Sequence, residues 1–142
     1  MCDIRYGFLN EATRFALVRD CLARAPYEAC GVMLGDFAPG RVVASGYALV
    51  RNAAGSPERA FRFDPDDWAK TYGQTQKNQR NIVGLFHSHP QGAPSPSLAD
   101  RLGWDGWGSY WIVALQGGQA SLHVYVRDQA GRLRPVELVV VP

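Results

Sequence analysis

Apolar and polar positions change period several times along this chain. Between Asn10 and Ala25 they repeat at helical spacing, with Phe15, Val18 and Leu22 as the apolar stripe. Asn10 is placed to cap that helix, Glu11 suits its first-turn dipole, and Pro26 stops it. Cys30 to Leu34 is then a short apolar run closed by Gly35-Asp36, which predicts a buried strand. Arg41 to Val50 predicts a second strand after a turn at Pro39-Gly40. Residues 51–60 read as a loop, and Phe61 to Phe63 as a short strand. Asp64-Pro65 marks a helix start, a cap followed by proline, for a helix carrying Trp68 and Tyr72 to about Asn78. Ile82 to Phe86 predicts a compact strand running into His87-Ser88-His89-Pro90. After a loop rich in Pro, Gly and Ser, Ser97 to Asp100 restarts a helix with a capping-box pattern. Tyr110 to Leu115, Ala120 to Val126 and Leu133 to Val141 are the last three strands, with turns at Gly117-Gly118 and Asp128 to Gly131. The expected architecture is mixed α/β, one sheet with helices packed on it, as a single domain over residues 1–142.

Composition narrows the function more than the fold. With 46% hydrophobic and 20% charged residues, the chain has the makeup of a packed soluble protein. A formal charge of +2 is too balanced to predict nucleic-acid binding, which relies on clustered positive charge. No stretch reaches the roughly 20 apolar residues that span a bilayer, so no membrane role is expected. The opening MCDIRYGFLNEATRF carries charges where a secretory signal needs an apolar run, which makes a cytoplasmic location the expectation. Cys2, Cys21 and Cys30 are odd in number and irregularly spaced, without a C-x-x-C pair. They read as free thiols, so a zinc site here would not rest mainly on sulfur.

The segment HSHPQGAPSPSLAD, residues 87–100, carries the chemistry. Histidines at i and i+2 on an extended chain share a face, so both imidazoles reach one ion. The same spacing also arises for any alternate strand residues, and Asp100 either completes a capping box with Ser97 or offers a carboxylate to that ion. His87, His89 and Asp100 together make the two-nitrogen, one-oxygen set of a catalytic zinc site with an open position. Glu28, between Pro26 and the apolar Cys30–Leu34 run, is the candidate proton shuttle, because partial desolvation raises a carboxylate pKa toward the useful range. Ser97 is the candidate hydrogen-bond donor to an oxyanion.

Taken together, Glu28-Ala29-Cys30-Gly31, His87-Ser88-His89-Pro90 and Pro96-Ser97-Leu98-Ala99-Asp100 resemble the JAMM (MPN-plus) metalloprotease signature. In that signature a serine and an aspartate follow the second histidine by eight and eleven residues, as Ser97 and Asp100 follow His89. The likeness extends to Tyr27–Gly35 and to Phe61–Pro65, and so covers nearly the whole chain. One departure is a second serine, Ser95, seven residues from His89; spacing selects Ser97. The resemblance implies a cytidine-deaminase-like α/β core, Zn2+ held by His87, His89 and Asp100, Glu28 as acid/base and Ser97 at the oxyanion. It implies cleavage of peptide or isopeptide bonds after the tail of ubiquitin-like proteins. The compact length is similar to stand-alone prokaryotic members, several of which act on small sulfur-carrier proteins.

The remaining residues carry plainer expectations. His123 is expected on a polar, solvent-facing strand surface, Cys30 as an inert buried thiol, and Trp111 in the core. Trp104 and Trp107 are placed either in the core or along a groove for an extended peptide tail. Such a tail is expected to lie along a sheet edge. Two other functions fit parts of the pattern: a catalytically silent MPN-type binding scaffold, and a DNA-associated protein similar to the RadC family. The complete set of Glu28, His87, His89, Ser97 and Asp100 disfavours the first, and the near-neutral charge disfavours the second.

Overall fold

A computed structural model describes residues 3–97, 100 and 106–142. Seven strands and two helices are described: β1 (Tyr6–Asn10), α1 (Glu11–Arg24), β2 (Cys30–Ala38), β3 (Arg41–Val50), α2 (Pro65–Lys77), β4 (Ile82–His89), β5 (Tyr110–Ala114), β6 (Ser121–Arg127) and β7 (Leu133–Val141). The predicted helix restart beyond Ser97 falls largely outside the described residues, as does Trp104.

The sheet closes into a barrel in the order β1-β3-β2-β4-β5-β6-β7, with β7 returning to β1. Three of its pairings, β1 with β3, β1 with β7 and β4 with β5, are parallel; the others are antiparallel. Every described strand therefore has two neighbours. That corrects the expectation of a free sheet edge for a substrate tail: closure removes whole edges, and only half-strands remain unpaired. β1 was not anticipated at all. Its five residues include Gly7 and run directly into the helix cap, so no alternation is long enough to show.

Helix α1 begins as expected, with Asn10 Oδ1 accepting from the Thr13 backbone NH at 2.7 Å. Its buried face is a different one, however. Thr13, Leu17 and Cys21 face the core at i, i+4 and i+8, whereas Phe15 and Leu22 are 64% and 50% exposed. Val18 alone of the predicted stripe packs against the core, from the side. Thr13 is tolerated inside because its hydroxyl reaches the Ser45 carbonyl. Asp64 caps α2 by accepting from the Asp67 NH at 3.0 Å, with Pro65 in the first turn.

Phe61–Phe63 is not a strand; only one bridge, Asn52 to Phe63, joins it to the chain leaving β3. Its rings are used instead, packing with Trp107 against Leu85, Tyr110 and Ile112. Trp107 also meets Phe63 and Trp68 at ring separations of 6.0 and 5.9 Å, so it belongs to an aromatic cluster. The other face of the sheet carries the main core, in which Trp111 is fully buried as expected. No helix among the described residues is long and apolar enough to cross a membrane.

Candidate metal centre

Strand β4 ends at His89, so His87 and His89 point to the same side at the sheet's mouth, as the i, i+2 spacing requires. Their Nε2 atoms lie 2.9 Å apart. Asp100 Oδ2 stands 3.3 Å from the first and 3.1 Å from the second. Neighbouring ligands of a tetrahedral ion bound at about 2.0–2.2 Å are roughly 3.3–3.5 Å apart. Three donors of this kind, converging this closely, fit a single divalent metal ion, and they are the group of described residues so arranged. His89 is already oriented for that task, since its Nδ1 lies 2.8 Å from the Ala93 carbonyl oxygen. A proton donated there leaves Nε2 with its lone pair facing the others. Phe61 stacks on the His87 ring at 4.8 Å and 30°.

Asp100 makes the anticipated reciprocal bonds with Ser97 and also turns its carboxylate to the histidines. Its Oδ2 accepts from the Ser97 NH at 2.8 Å, and the Asp100 NH donates to Ser97 Oγ at 3.0 Å, a reciprocal cap. The same oxygen faces both histidines. Burial would raise the Asp100 pKa, but hydrogen bonding to His87 and His89 holds it well below the usual carboxylate range. Burial pushes His87 down, toward the neutral imidazole a metal needs. His89 is partly buried, which acts downward, yet Asp100 and the Ala93 carbonyl together raise it.

Glu28 lies just before β2 and only 7% exposed. Its Oε1 is 4.0 Å from His87 Nε2, beside the three donors but apart from them. Among the described residues its carboxylate takes no hydrogen bond. Burial raises its pKa to about 7, with Asp100 adding to the rise and His89 opposing it. Two residues that the sequence did not single out hold it there. Ser88, between the histidines, accepts from the Ala29 NH at 2.8 Å through Oγ and donates its own NH to the Ala29 carbonyl at 2.9 Å. Asn52 Nδ2 donates to the Glu28 and Ala60 carbonyls, both at 3.0 Å, while its Oδ1 accepts from the Ala54 and Arg62 amides. An asparagine in a loop signals only a turn, and a buried serine only filling, so neither could be found by pattern. The Glu28 NH itself donates to the Pro57 carbonyl at 2.7 Å, which draws the loop across it.

Ser97 is exposed and lines a groove of about 390 Å³ with Glu28, Glu58, Arg59, His89 and Ser95. Its Oγ accepts from Asp100, so its hydroxyl hydrogen remains for an outward partner. Ser95 shares the groove without that tether. His123 is half-buried with its Nε2 2.8 Å from Ser121 Oγ, less open than expected, and burial lowers its pKa. Cys30 is buried with its Sγ 3.3 Å from the Val50 carbonyl oxygen.

A mixed α/β barrel thus brings two strand-end histidines, a buried aspartate and a buried glutamate together as a candidate metal centre. Residues 10–127 match the model of the prokaryotic homologs of the JAB domain, and the chain belongs to that family. It is similar to a desampylase of Haloferax volcanii, 30% identical over 106 residues that cover 73% of each chain. It is also similar to a desampylase of Pyrococcus furiosus, 27% identical over 80% of this chain and 76% of that one. Two solution structures share the fold. A Desulfitobacterium hafniense protein superposes with a TM-score of 0.81 at 24% identity, covering 94% of this chain and 92% of that one. A Salinibacter ruber protein gives 0.70 at 21% identity, with 94% and 90% covered.

Proposed function

We propose that the protein is a zinc metallopeptidase or isopeptidase that hydrolyses an amide bond at the C-terminus of a small ubiquitin-like protein, a sulfur carrier being the substrate we favour. The observation that carries this reading is the buried, unbonded Glu28 carboxylate 4.0 Å from a converging His-His-Asp set. A purely structural metal site has no use for such a neighbour. The family and the two desampylases support an isopeptidase acting on a ubiquitin-like tag.

In this mechanism His87, His89 and Asp100 would hold the zinc ion. When bound, zinc supplies a Lewis acid that polarises the scissile carbonyl and makes water a better nucleophile. Glu28 takes the proton from the attacking water and delivers it to the departing amine. A pKa of about 7 suits both halves of that task, since the group both accepts and releases a proton near neutrality. Ser97, held by Asp100, donates its hydroxyl hydrogen to the oxygen on which negative charge develops. The acyl tail lies in the groove along His89–Ser97.

The test combines metal analysis with turnover of a Gly-Gly-ending ubiquitin-like protein joined to a lysine side chain. Zinc-reconstituted protein is expected to hold about one ion per chain. Glu28→Gln is expected to keep that ion and lose about 10²–10⁴-fold in turnover. No zinc on reconstitution, or an unimpaired Glu28→Gln, would overturn the reading.

A further inference from the structure

The loop drawn over Glu28 borders two hollows that meet at that residue, and only one belongs to the centre described so far. On one side lies the groove containing His89 and Ser97; on the other lies a pocket of about 640 Å³ that Glu28 also lines. Pro57 forms part of the second pocket's wall, while Glu58 and Arg59 face the first. The loop is fixed by the Glu28-to-Pro57 backbone bond and by Asn52. A volume of this size accommodates a small molecule or several side-chain atoms.

Two arginines line it, Arg24 at the end of α1 and Arg51 just after β3. Both are exposed, and among the described residues neither guanidinium has a hydrogen-bond or ion-pair partner. Asp67 also lines the pocket, and its Oδ2 accepts from the Arg51 backbone NH at 2.7 Å. Tyr27 and Leu49 contribute apolar wall. The pocket is thus lined by two acidic residues, Glu28 and Asp67, and by two arginines whose guanidinium groups have no partner among the described residues. Guanidinium forks bind carboxylates through paired, charge-assisted hydrogen bonds.

We infer that this pocket is a leaving-group subsite in which Arg24 and Arg51 bind a carboxylate carried on the departing amine. The inference rests on the hydrolase reading for its direction. If the acyl tail occupies the groove beside His89 and Ser97, the scissile nitrogen faces Glu28, and the chain beyond it enters the pocket behind Glu28. The carboxylate has two sources. It is the α-carboxylate of a single amino acid joined through its amine, or an acidic side chain beside a lysine joined through its Nζ.

The experiment has a binding arm and a kinetic arm, both on the full chain. In the first, ¹⁵N-labelled protein is titrated with N-acetylglycine and with N-acetylglycinamide. Only the carboxylate is expected to shift the amides of Tyr27, Arg51 and Asp67, and Arg24→Gln or Arg51→Gln is expected to abolish the response. In the second, a carrier tail ending in glycine is compared with its glycinamide counterpart. The same tail joined to lysine is compared with glutamate or glutamine beside that lysine. Wild type is expected to favour one carboxylate over its amide by roughly tenfold or more in kcat/KM. That ratio is expected to fall toward one in either variant, and the responding pair identifies the source. Equal response to the acid and the amide in both arms, or a preference that survives both substitutions, overturns the subsite while leaving hydrolysis standing. Selective binding of N-acetylglycine with no hydrolysis of any substrate keeps the anion pocket and removes the hydrolase reading instead.

Discussion

Glu28 and Cys30 stand two residues apart at the mouth of β2, and burial moves both pKa values in the same direction with opposite consequences. The carboxylate rises to about 7, into the range where it exchanges protons. The Cys30 thiol is pushed up to about 12 by burial and by the Glu28 charge, and Cys21 reaches about 12 for the same leading reason. A thiol that stays neutral is a poor nucleophile, which removes cysteine chemistry from this site. In a Cys2→Ser protein, Cys21 and Cys30 are expected to be unreactive toward a thiol-specific reagent at pH 8 and to label once the chain is unfolded. The same shifts predict an alkaline limit to stability. Well below pH 9 both thiols are neutral in the folded and the unfolded chain, and the stabilisation is complete. Between about 9 and 12 the unfolded chain loses protons that the folded one retains, so stability falls, by on the order of a few kcal/mol for the pair. Urea titrations at pH 8 and pH 10.5 measure this, and equal unfolding free energies would refute it.

At the scale of elements, the barrel brings Glu28 to the metal centre by pairing β2 against β4, with Cys30 opposite His87. Ser88 reinforces that pairing where the ladder ends. Ser88→Ala leaves the buried Ala29 NH without its acceptor, at an expected cost of about 1–3 kcal/mol by urea denaturation. A change below 0.5 kcal/mol would show that β4 holds its place unaided. The convergence of His87, His89 and Asp100 was legible because it rests on short-range geometry: alternate strand positions for the histidines, a capping box for Ser97 and Asp100. The helix α1 face was not. Its bulky Phe15 and Leu22 outweighed Thr13 and Cys21 in the pattern, yet the smaller residues fit against the barrel. Closure of the sheet was equally hidden, because it depends on the parallel pairing of β1 with β7, more than a hundred residues away. Leu17→Ala is therefore expected to cost about 2–5 kcal/mol. Phe15→Ser should cost under about 0.5 kcal/mol; comparable losses in thermal unfolding would restore the original face.

Over the whole molecule, the centre draws on parts of the chain far apart in sequence: the β4 terminus, Asp100 and, through Ser88 and Asn52, the start of β2 and the loop after β3. An ion on His87, His89 and Asp100 would bind the folded arrangement and find no such set in the unfolded chain. Its binding free energy is then added to folding, growing with the logarithm of free metal. The thermal midpoint is expected to rise with zinc concentration, since ligand at 100 times its dissociation constant adds about 2.7 kcal/mol. Asp100→Asn should lose most of that increment. Glu28→Gln should keep it, because Glu28 stands beside the donors without being one of them. The increment should also shrink as pH falls through the histidine range, because His89 is held partly toward its protonated form by Asp100 and the proton competes with the metal. A midpoint indifferent to zinc, or an equal rise in Asp100→Asn, would mean that the three donors meet for structural reasons alone.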